Sequence, residues 1–121
     1  MDTPAWVTQL FHALDAFEAQ TFANFLSDAA VFVFGNAEPV KGKSTIQSVV
    51  AGFFASIQAI RHDLVEVWTL PDTVICRGIV TYTRHDGSQL SAPFANVFKL
   101  KNDLITDYLI YVDNSQLYAR Q

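Results

Sequence analysis

Apolar and polar residues alternate through the last third of the chain, between positions 74 and 113, in a pattern that predicts three β-strands joined by short turns. The first turn contains Asp86-Gly87, a pair that favours a two-residue hairpin loop because both positions tolerate a positive φ. A loop of that kind places Arg77 opposite Asn96 on the neighbouring strand. The pattern therefore predicts which side chains share a face of the sheet.

The two flanking turns extend the same pairing. Leu70-Pro71-Asp72-Thr73 is a turn signal that places Glu66 opposite Arg77. Lys101-Asn102-Asp103 reads as a three-residue loop that places Tyr108 opposite Asn96. A polar row across four strands is the result, set in an otherwise apolar face, as in a small-molecule pocket. Its members are Glu66, Arg77, Asn96 and Tyr108.

Helical periodicity dominates the first half of the chain. Thr3-Pro4 is a helix start, and apolar residues follow at helical spacing to about Ala19. A short helix over 21–26 and a strand over 30–34 come next. Ser44 and Gln47 form a capping box before a helix with a wide apolar stripe. The prediction is an α+β, cystatin-like cone in which a strongly curved, mostly antiparallel sheet wraps around three helices from the N-terminal half.

Composition narrows the class of protein. The 121 residues fit one domain over positions 1–121, and 50% of them are hydrophobic. A net charge of −4 and the lack of a Lys/Arg cluster argue against a nucleic-acid partner. The single Cys76, the absence of a signal-peptide pattern and the short apolar runs predict a cytoplasmic protein without a membrane span. Three scattered His residues predict no metal site, and we expect no cofactor.

Four segments, in their order and spacing, resemble the nuclear transport factor 2-like superfamily, and its SnoaL-like, ketosteroid isomerase-like members in particular. They are the stretches at 26–31, 40–43, 94–100 and 110–113, which read LSDAAV, VKGK, FANVFKL and IYVD. The resemblance covers nearly the whole chain and implies the cone fold. It does not imply one activity, because this fold hosts isomerases, dehydratases, cyclases, epoxide hydrolases and non-catalytic binders.

The family's known active sites match this chain only in part. The general-base Asp of ketosteroid isomerases falls near Val33, their helix-one Tyr near Gln9 or Leu10, and their oxyanion-hole Asp on Asn96. The catalytic trio of the epoxide hydrolases falls on Ile79, Thr81 and Ile110, so it is absent. The resemblance to scytalone dehydratase is different, since its pocket His, strand Trp and pocket Asn are similar to His62, Trp68 and Asn96.

Four residues are the candidates for catalysis. Arg77 could bind an anionic ligand group with Glu66 neutralising it, or the two could form an ordinary cross-strand ion pair at a wet edge. His62 could act as a general acid or base, or be a strand-end His bonded to Thr81 or solvent. Asn96 could donate to a ligand carbonyl or tie strands together, and Tyr108 could bind the same ligand atom or fill the core.

The pairing also predicts the walls of the pocket and the opposite face. The expected pocket residues are Trp6, Leu10, Val33, Phe53, Phe54, Glu66, Trp68, Ile79, Thr81, Phe94, Phe98, Ile110 and Val112. The opposite face is too apolar to remain in water, so it predicts a two-fold homodimer. That face comprises Val65, Val67, Val74, Cys76, Val80, Tyr82, Ala95, Val97, Leu109 and Tyr111.

Two functional hypotheses follow from the sequence. One is a binding protein for a small, mostly apolar ligand with a polar or anionic end. The other is an isomerase, dehydratase or cyclase acting on a carbonyl or aromatic compound. The missing family carboxylates favour the binder, and the clustered polar row favours the enzyme.

Overall fold

A computed structural model describes residues 3–118, which form three helices and six strands. Their order along the chain confirms the α+β prediction. Long strands occupy the second half, and the helices occupy the first. The elements are α1 (Ala5–Asp15), α2 (Ala19–Ala23), β1 (Leu26–Phe34), β2 (Val40–Lys41), α3 (Lys43–Ala55), β3 (Ala59–Leu70), β4 (Thr73–Thr83), β5 (Gln89–Lys101) and β6 (Leu104–Val112).

The six strands make one sheet in the order β2-β1-β6-β5-β4-β3. All neighbours are antiparallel except β1 and β6, which run parallel. Strands β3, β4, β5 and β6 follow one another in sequence and lie side by side, because short hairpins join them. The three helices cover the inner face of the sheet, and β3 lies at its free edge, beside α1.

Helices α1 and α3 form where apolar residues recur at helical spacing, as predicted. Each buries one stripe against the sheet, Val7, Leu10 and Leu14 in α1 and Ile46, Val50 and Phe54 in α3. The expected side-chain caps do not form. The residues that precede the helices are Pro4 and Gly42, and neither helix start is capped by a side chain. Packing of the apolar stripe therefore determines where these helices lie.

The β4–β5 hairpin has a three-residue loop, so the predicted two-residue loop is wrong. Arg84 and Ser88 close it, with the Arg84 amide 2.8 Å from the Ser88 carbonyl oxygen. Within the loop only Gly87 has a positive φ, at 88°. The carboxylate of Asp86 accepts hydrogen bonds from the amide and the hydroxyl of Ser88, at 2.9 and 2.6 Å. These bonds lower the pKa of Asp86.

The longer loop moves the register of this hairpin by one residue. Arg77 now pairs with Ala95, and Asn96 pairs with Cys76. Because side chains alternate between faces, this one-residue slip sends Arg77 to the opposite face from Asn96. The predicted polar row is therefore divided between the two faces of the sheet.

Strand β3 contains a bulge at Val65 that changes which residues face inward. The predicted Glu66–Arg77 pairing is present after the bulge, on the outer face. Before the bulge, His62 pairs with Val80 and faces inward. A bulge adds one residue to one strand, so even-numbered residues point outward on one side of it and inward on the other.

The β5–β6 hairpin differs from the prediction by two residues, and its faces are therefore preserved. Its loop has two residues, Asn102 and Asp103, with φ of 54° and 64°, as a type I′ turn requires. A bulge next to the loop follows, and Tyr108 pairs with Phe98 instead of Asn96. Tyr108 remains on the same inner face as Asn96, because a shift of two residues does not change the face.

The predicted outer face is corrected in the same way. Five of its members face inward or are buried: Val67, Val74, Cys76, Val80 and Tyr82. Four residues predicted for the pocket face outward and are exposed instead, namely Glu66, Trp68, Arg77 and Ile79. The outer face still carries Ala95, Val97, Leu109 and Tyr111, as predicted.

Candidate functional site

An apolar cavity of about 50 Å³ lies between α3 and the inner face of the sheet. Helix α3 contributes Val49, Val50, Phe53 and Phe54 to its wall, α1 contributes Leu14, and the sheet contributes the rest. For comparison, an apolar cavity of roughly 150 Å³ in another protein is large enough for benzene. The cavity is about one third of that size, so it admits a small ring compound only when the half-buried rings of Phe34 and Phe53 in its wall turn aside.

The wall of this cavity contains the imidazole of His62, which is paired with a carboxylate that lies outside the cavity. Asp15 is the last residue of α1, and its Oδ1 is 2.6 Å from His62 Nδ1. The second oxygen, Oδ2, accepts a hydrogen bond of 3.1 Å from the backbone N–H of His62. The edge position of β3 leaves that N–H free for α1. Both oxygens of one carboxylate thus hold a single residue, fixing its backbone and its ring together.

Aromatic rings complete the setting of His62. Its ring centroid lies 4.8 Å from that of Phe11 and 5.4 Å from that of Phe94. The His62 side chain is 11% exposed and the Asp15 side chain 28% exposed. The same two residues line a solvent groove between α1 and β3. His62 therefore lies between the apolar cavity and water, with Asp15 on the water side.

The carboxylate also determines which ring nitrogen carries the proton. An ionised carboxylate only accepts hydrogen bonds, so Nδ1 of His62 is the donor. In a neutral imidazole this leaves Nε2 with a free lone pair. A carboxylate that fixes the tautomer of a His in this way is a recurrent arrangement for general-base chemistry.

Asn96 brings a carboxamide into the same cavity from the middle of β5. The residue is 2% exposed, and its Oδ1 has no hydrogen-bond partner among the described residues. Leaving a buried acceptor unpaired costs about 1–3 kcal/mol. A polar atom of this kind in a cavity wall is available to a bound molecule.

Two tyrosines line the cavity with their hydroxyl groups protonated. Burial, together with the nearby phenol of Tyr118, raises the pKa of Tyr82 to about 12. Burial also raises the pKa of Tyr108 well above its usual value. Both phenols therefore keep their protons across the physiological range and can act as hydrogen-bond donors.

Of the predicted site residues, eight line this cavity. Three of the four catalytic candidates are among them, namely His62, Asn96 and Tyr108. The other five are Phe53, Phe54, Phe94, Ile110 and Val112.

Arg77 and Glu66 do not reach the cavity, so their predicted place in it is wrong. They form a cross-strand ion pair on the outer face, with Arg77 Nε 2.7 Å from Glu66 Oε1. Their side chains are 51% and 46% exposed. They therefore match the second alternative given by the sequence, an ordinary exposed ion pair. Such pairs contribute little to stability.

The other predicted lining residues lie elsewhere. Leu10 and Phe98 are fully buried, and the ring of Trp6 packs edge-on against Phe98 with centroids 5.4 Å apart. These three fill the core instead of lining the cavity. Four more face away from the cavity or contact other strands: Val33, Trp68, Ile79 and Thr81, the last bonded to Ser91 rather than His62.

Sequence reasoning missed Asp15. The available signal was its place on α1, four residues after the buried Phe11 and eight after the buried Val7. A carboxylate that continues an apolar helical stripe needs a buried partner. Which partner it meets depends on how α1 lies against β3.

Two searches of the described part of the chain gave negative results. Within residues 3–118 no cluster of three or more His, Cys, Asp or Glu side chains could hold a metal ion. No helix in that range is both long enough and apolar enough to span a bilayer.

The fold is that of an α+β cone protein with an apolar cavity between its helices and its sheet. The chain belongs to the SnoaL-like domain family, whose model matches residues 7–108. This confirms the resemblance seen in the sequence. A search of the curated proteins finds no match.

Solved structures with the same fold include proteins crystallised with small molecules. A ketosteroid isomerase-like protein from Catenulispora acidiphila in complex with trimethylamine is 16% identical (TM-score 0.84; 91% of this chain and 86% of that chain covered). A SnoaL-like polyketide cyclase (a provisional assignment) from Jannaschia sp. CCS1 is 13% identical (TM-score 0.80; 97% and 94%). TerC, co-crystallised with polyporic acid, is also 13% identical (TM-score 0.79; 93% and 92%). At such identities the likeness shows the fold alone.

Proposed function

We propose that this protein is a cofactor-independent enzyme of the isomerase, dehydratase or cyclase type, acting on a small carbonyl compound. The observation that carries the proposal is the Asp15–His62 pair, whose imidazole lines an apolar cavity while its carboxylate lies in the neighbouring groove. A core His that only fills space does not need a carboxylate bound to both its ring and its backbone. The pair supplies the base that the family's usual carboxylate positions lack.

The proposed chemistry begins with proton abstraction. Nε2 of His62 accepts a proton from the carbon beside the substrate carbonyl, and Asp15 stabilises the imidazolium that forms. The C–H electron pair forms a carbon–carbon double bond, and negative charge develops on the carbonyl oxygen. The protonated hydroxyl of Tyr108 donates to that oxygen, while the low dielectric of the aromatic wall strengthens the bond.

The second half of the reaction returns the proton. His62 delivers it to another carbon in an isomerisation or to a leaving hydroxyl, released as water, in a dehydration. The groove on the other side of His62 lets the imidazole exchange its proton with solvent between turnovers. The ligands of the structural neighbours, trimethylamine and polyporic acid, support binding of small organic molecules by proteins of this fold.

The first test follows hydrogen exchange in two small ketones, acetone and cyclopentanone. The protein is incubated with each ketone in D₂O, and loss of the α-proton signals is followed by ¹H NMR. We expect exchange above the buffer rate. His62→Gln should reduce the enzymatic rate roughly 10²–10⁴-fold, the usual contribution of a general base. Asp15→Asn should also slow it, because the amide no longer fixes the tautomer.

His12→Gln is the matched control for this test. His12 lies on α1, as Asp15 does, and lines the groove that contains Asp15 and His62. It is exposed and is not part of the cavity wall. Its replacement should leave the exchange rate unchanged. If the wild type and His62→Gln exchange both ketones equally fast, the enzyme proposal fails and a non-catalytic binder is the better description.

We also propose that two copies pair through the outer face of the sheet. Trp68, Ile79 and Tyr111 are 38%, 39% and 59% exposed there, and the Glu66–Arg77 pair lies among them. Two-fold symmetry would bring the Glu66 of each copy near the Arg77 of the other. Sedimentation at micromolar concentration should give a dimer that Tyr111→Lys converts to monomer. Leu104→Glu is the control, because it changes an exposed apolar residue at the β5–β6 turn, and it should leave the dimer intact. A monomeric wild type would refute the pairing.

A further inference from the structure

The cavity contains an acceptor that lacks a donor. Asn96 Oδ1 is buried and has no partner among residues 3–118, although native proteins pair nearly all such atoms. The neighbouring strands do not need it, because Asn96 already takes part in the sheet through its backbone. An unpaired atom retained at a cavity wall is explained by a ligand that supplies the missing donor.

The cavity offers no counter-ion to a charged ligand. Among the residues described as lining it there is no Lys, Arg, Asp or Glu. Arg77, which could have bound an anion, lies on the other face of the sheet with Glu66. His62 is already held by Asp15. An ion that entered would lose its hydration without gaining an opposite charge, which is strongly unfavourable.

We infer that the site selects uncharged molecules that carry a hydroxyl group, and that this hydroxyl donates to Asn96 Oδ1. The inference deepens the proposed function and rests on it. In that reaction the hydroxyl is the group eliminated by a dehydratase, or that of an enol. The bond to Asn96 holds the ligand in the cavity wall that also contains His62 and Tyr108. Asn96 is thereby assigned as the specificity-determining residue.

A matched series of compact probes tests this inference. Cyclopentanol, cyclopentanone, cyclopentylammonium and cyclopentanecarboxylate share one ring and differ only in the polar group. Each is titrated at pH 7 into the ¹⁵N-labelled protein, and affinities are read from the shifts of backbone amide signals. We expect cyclopentanol to bind about tenfold more tightly than the other three, the effect of one additional hydrogen bond to a buried group.

Variants then locate the selectivity. Asn96→Leu should remove the advantage of cyclopentanol over cyclopentanone and raise the Tm, because a buried unpaired atom disappears. Asn96→Thr retains an acceptor and should keep part of the preference, which covers the case in which the Leu variant does not fold. Arg77→Gln removes a positive charge that lies outside the cavity, on the other face of the sheet, and should leave all four affinities unchanged.

Several outcomes would overturn the inference. Tightest binding of cyclopentylammonium would mean that the seven aromatic side chains in the lining act as a cage for cations. Tightest binding of cyclopentanone would mean that the Asn96 carboxamide is turned and donates. Tightest binding of the carboxylate, or no binding of the alcohol, would equally refute it. If the protein prefers cyclopentanol but does not catalyse hydrogen exchange in ketones, the proposed enzyme function is wrong. The inference on Asn96 would then still hold for a binding protein.

Discussion

Gly78→Ala is expected to destabilise the protein by about 3 kcal/mol or more, at the upper end of what overpacking costs. A Cβ atom at Gly78 would lie 2.1 Å from the carbonyl oxygen of Asp63 and 3.0 Å from the Cα of Leu64. These are backbone atoms, so no side-chain rotation can relieve the contact. Strand β3 presses on β4 at this point because the bulge at Val65 follows directly.

The effect of Gly78→Ala should extend to the site. Asp63 adjoins His62, so moving the Asp63 carbonyl displaces the strand segment that carries the imidazole. Urea unfolding followed by circular dichroism measures the loss of stability, and the ¹⁵N shifts of the His62 ring report whether its hydrogen bond to Asp15 persists. We expect both to change in any Gly78→Ala protein that still folds.

Gly52→Ala provides the matched control. An added Cβ at Gly52 meets no atom within 4 Å, and the residue lies inside helix α3. Alanine is the better helix former, by about 0.5–1 kcal/mol. The two substitutions make the same chemical change and should have opposite signs. Equal stability of the two variants would show that β3 and β4 do not approach as closely as the structure indicates.

The sequence predicted the elements well because their signals are local. Turns were expected at Pro71-Asp72, Asp86-Gly87 and Asn102-Asp103, and each of these pairs lies between two strands of the structure. Turn residues and hydrophobic periodicity act over a few neighbours, so they can be read without knowledge of the tertiary structure.

The register was less predictable, because a single loop residue decides it. Asp86-Gly87 fits both a two-residue loop and a three-residue loop with Gly in the left-handed position. In the structure, the hydrogen bonds from Ser88 to Asp86 stabilise the longer loop. That one residue moved Arg77 out of the cavity and left Asn96 inside it.

The helical spacing of Asp15 indicated that it has a buried partner, but local signals could not identify that partner as His62. His62 was identified as a candidate, but its inward position depends on the bulge at Val65, and its partner comes from a helix 47 residues earlier in the chain. Because the bulge and the slipped hairpin both invert a face, the correct placement of His62 and the wrong placement of Arg77 have related causes.

The second large effect is expected at high pH, where the protein should lose stability steeply. Burial raises the pKa of the Cys76 thiol from 9.0 to about 12, and a backbone hydrogen bond from Asn96 offsets only part of this. Burial also raises the pKa of Tyr82 from 10.0 to about 12 and that of Tyr108 well above 10.0. All three groups keep their protons in the folded protein at pH values where the unfolded chain releases them.

The direction of the pH dependence follows from proton counting. Below pH 9 both states hold these protons, so the groups cause no change with pH. Between about pH 9 and 12 the folded state binds more protons than the unfolded state, and the free energy of unfolding therefore falls as the pH rises. Each pKa unit of difference corresponds to about 1.4 kcal/mol. The three groups together should remove several kcal/mol by pH 11.

Urea unfolding at pH 8, 9, 10 and 11 measures this loss, and two variants assign it. Tyr82→Phe removes one of the buried titrating groups and should make the decline with pH shallower. Tyr111→Phe makes the same chemical change at a side chain that is 59% exposed on the outer face, and it should leave the slope as in the wild type. A free energy of unfolding that stays constant from pH 8 to 11 would mean that the interior admits the thiolate and the phenolates. The cavity wall would then be more polar than its residues indicate, and the argument for an uncharged ligand would weaken with it.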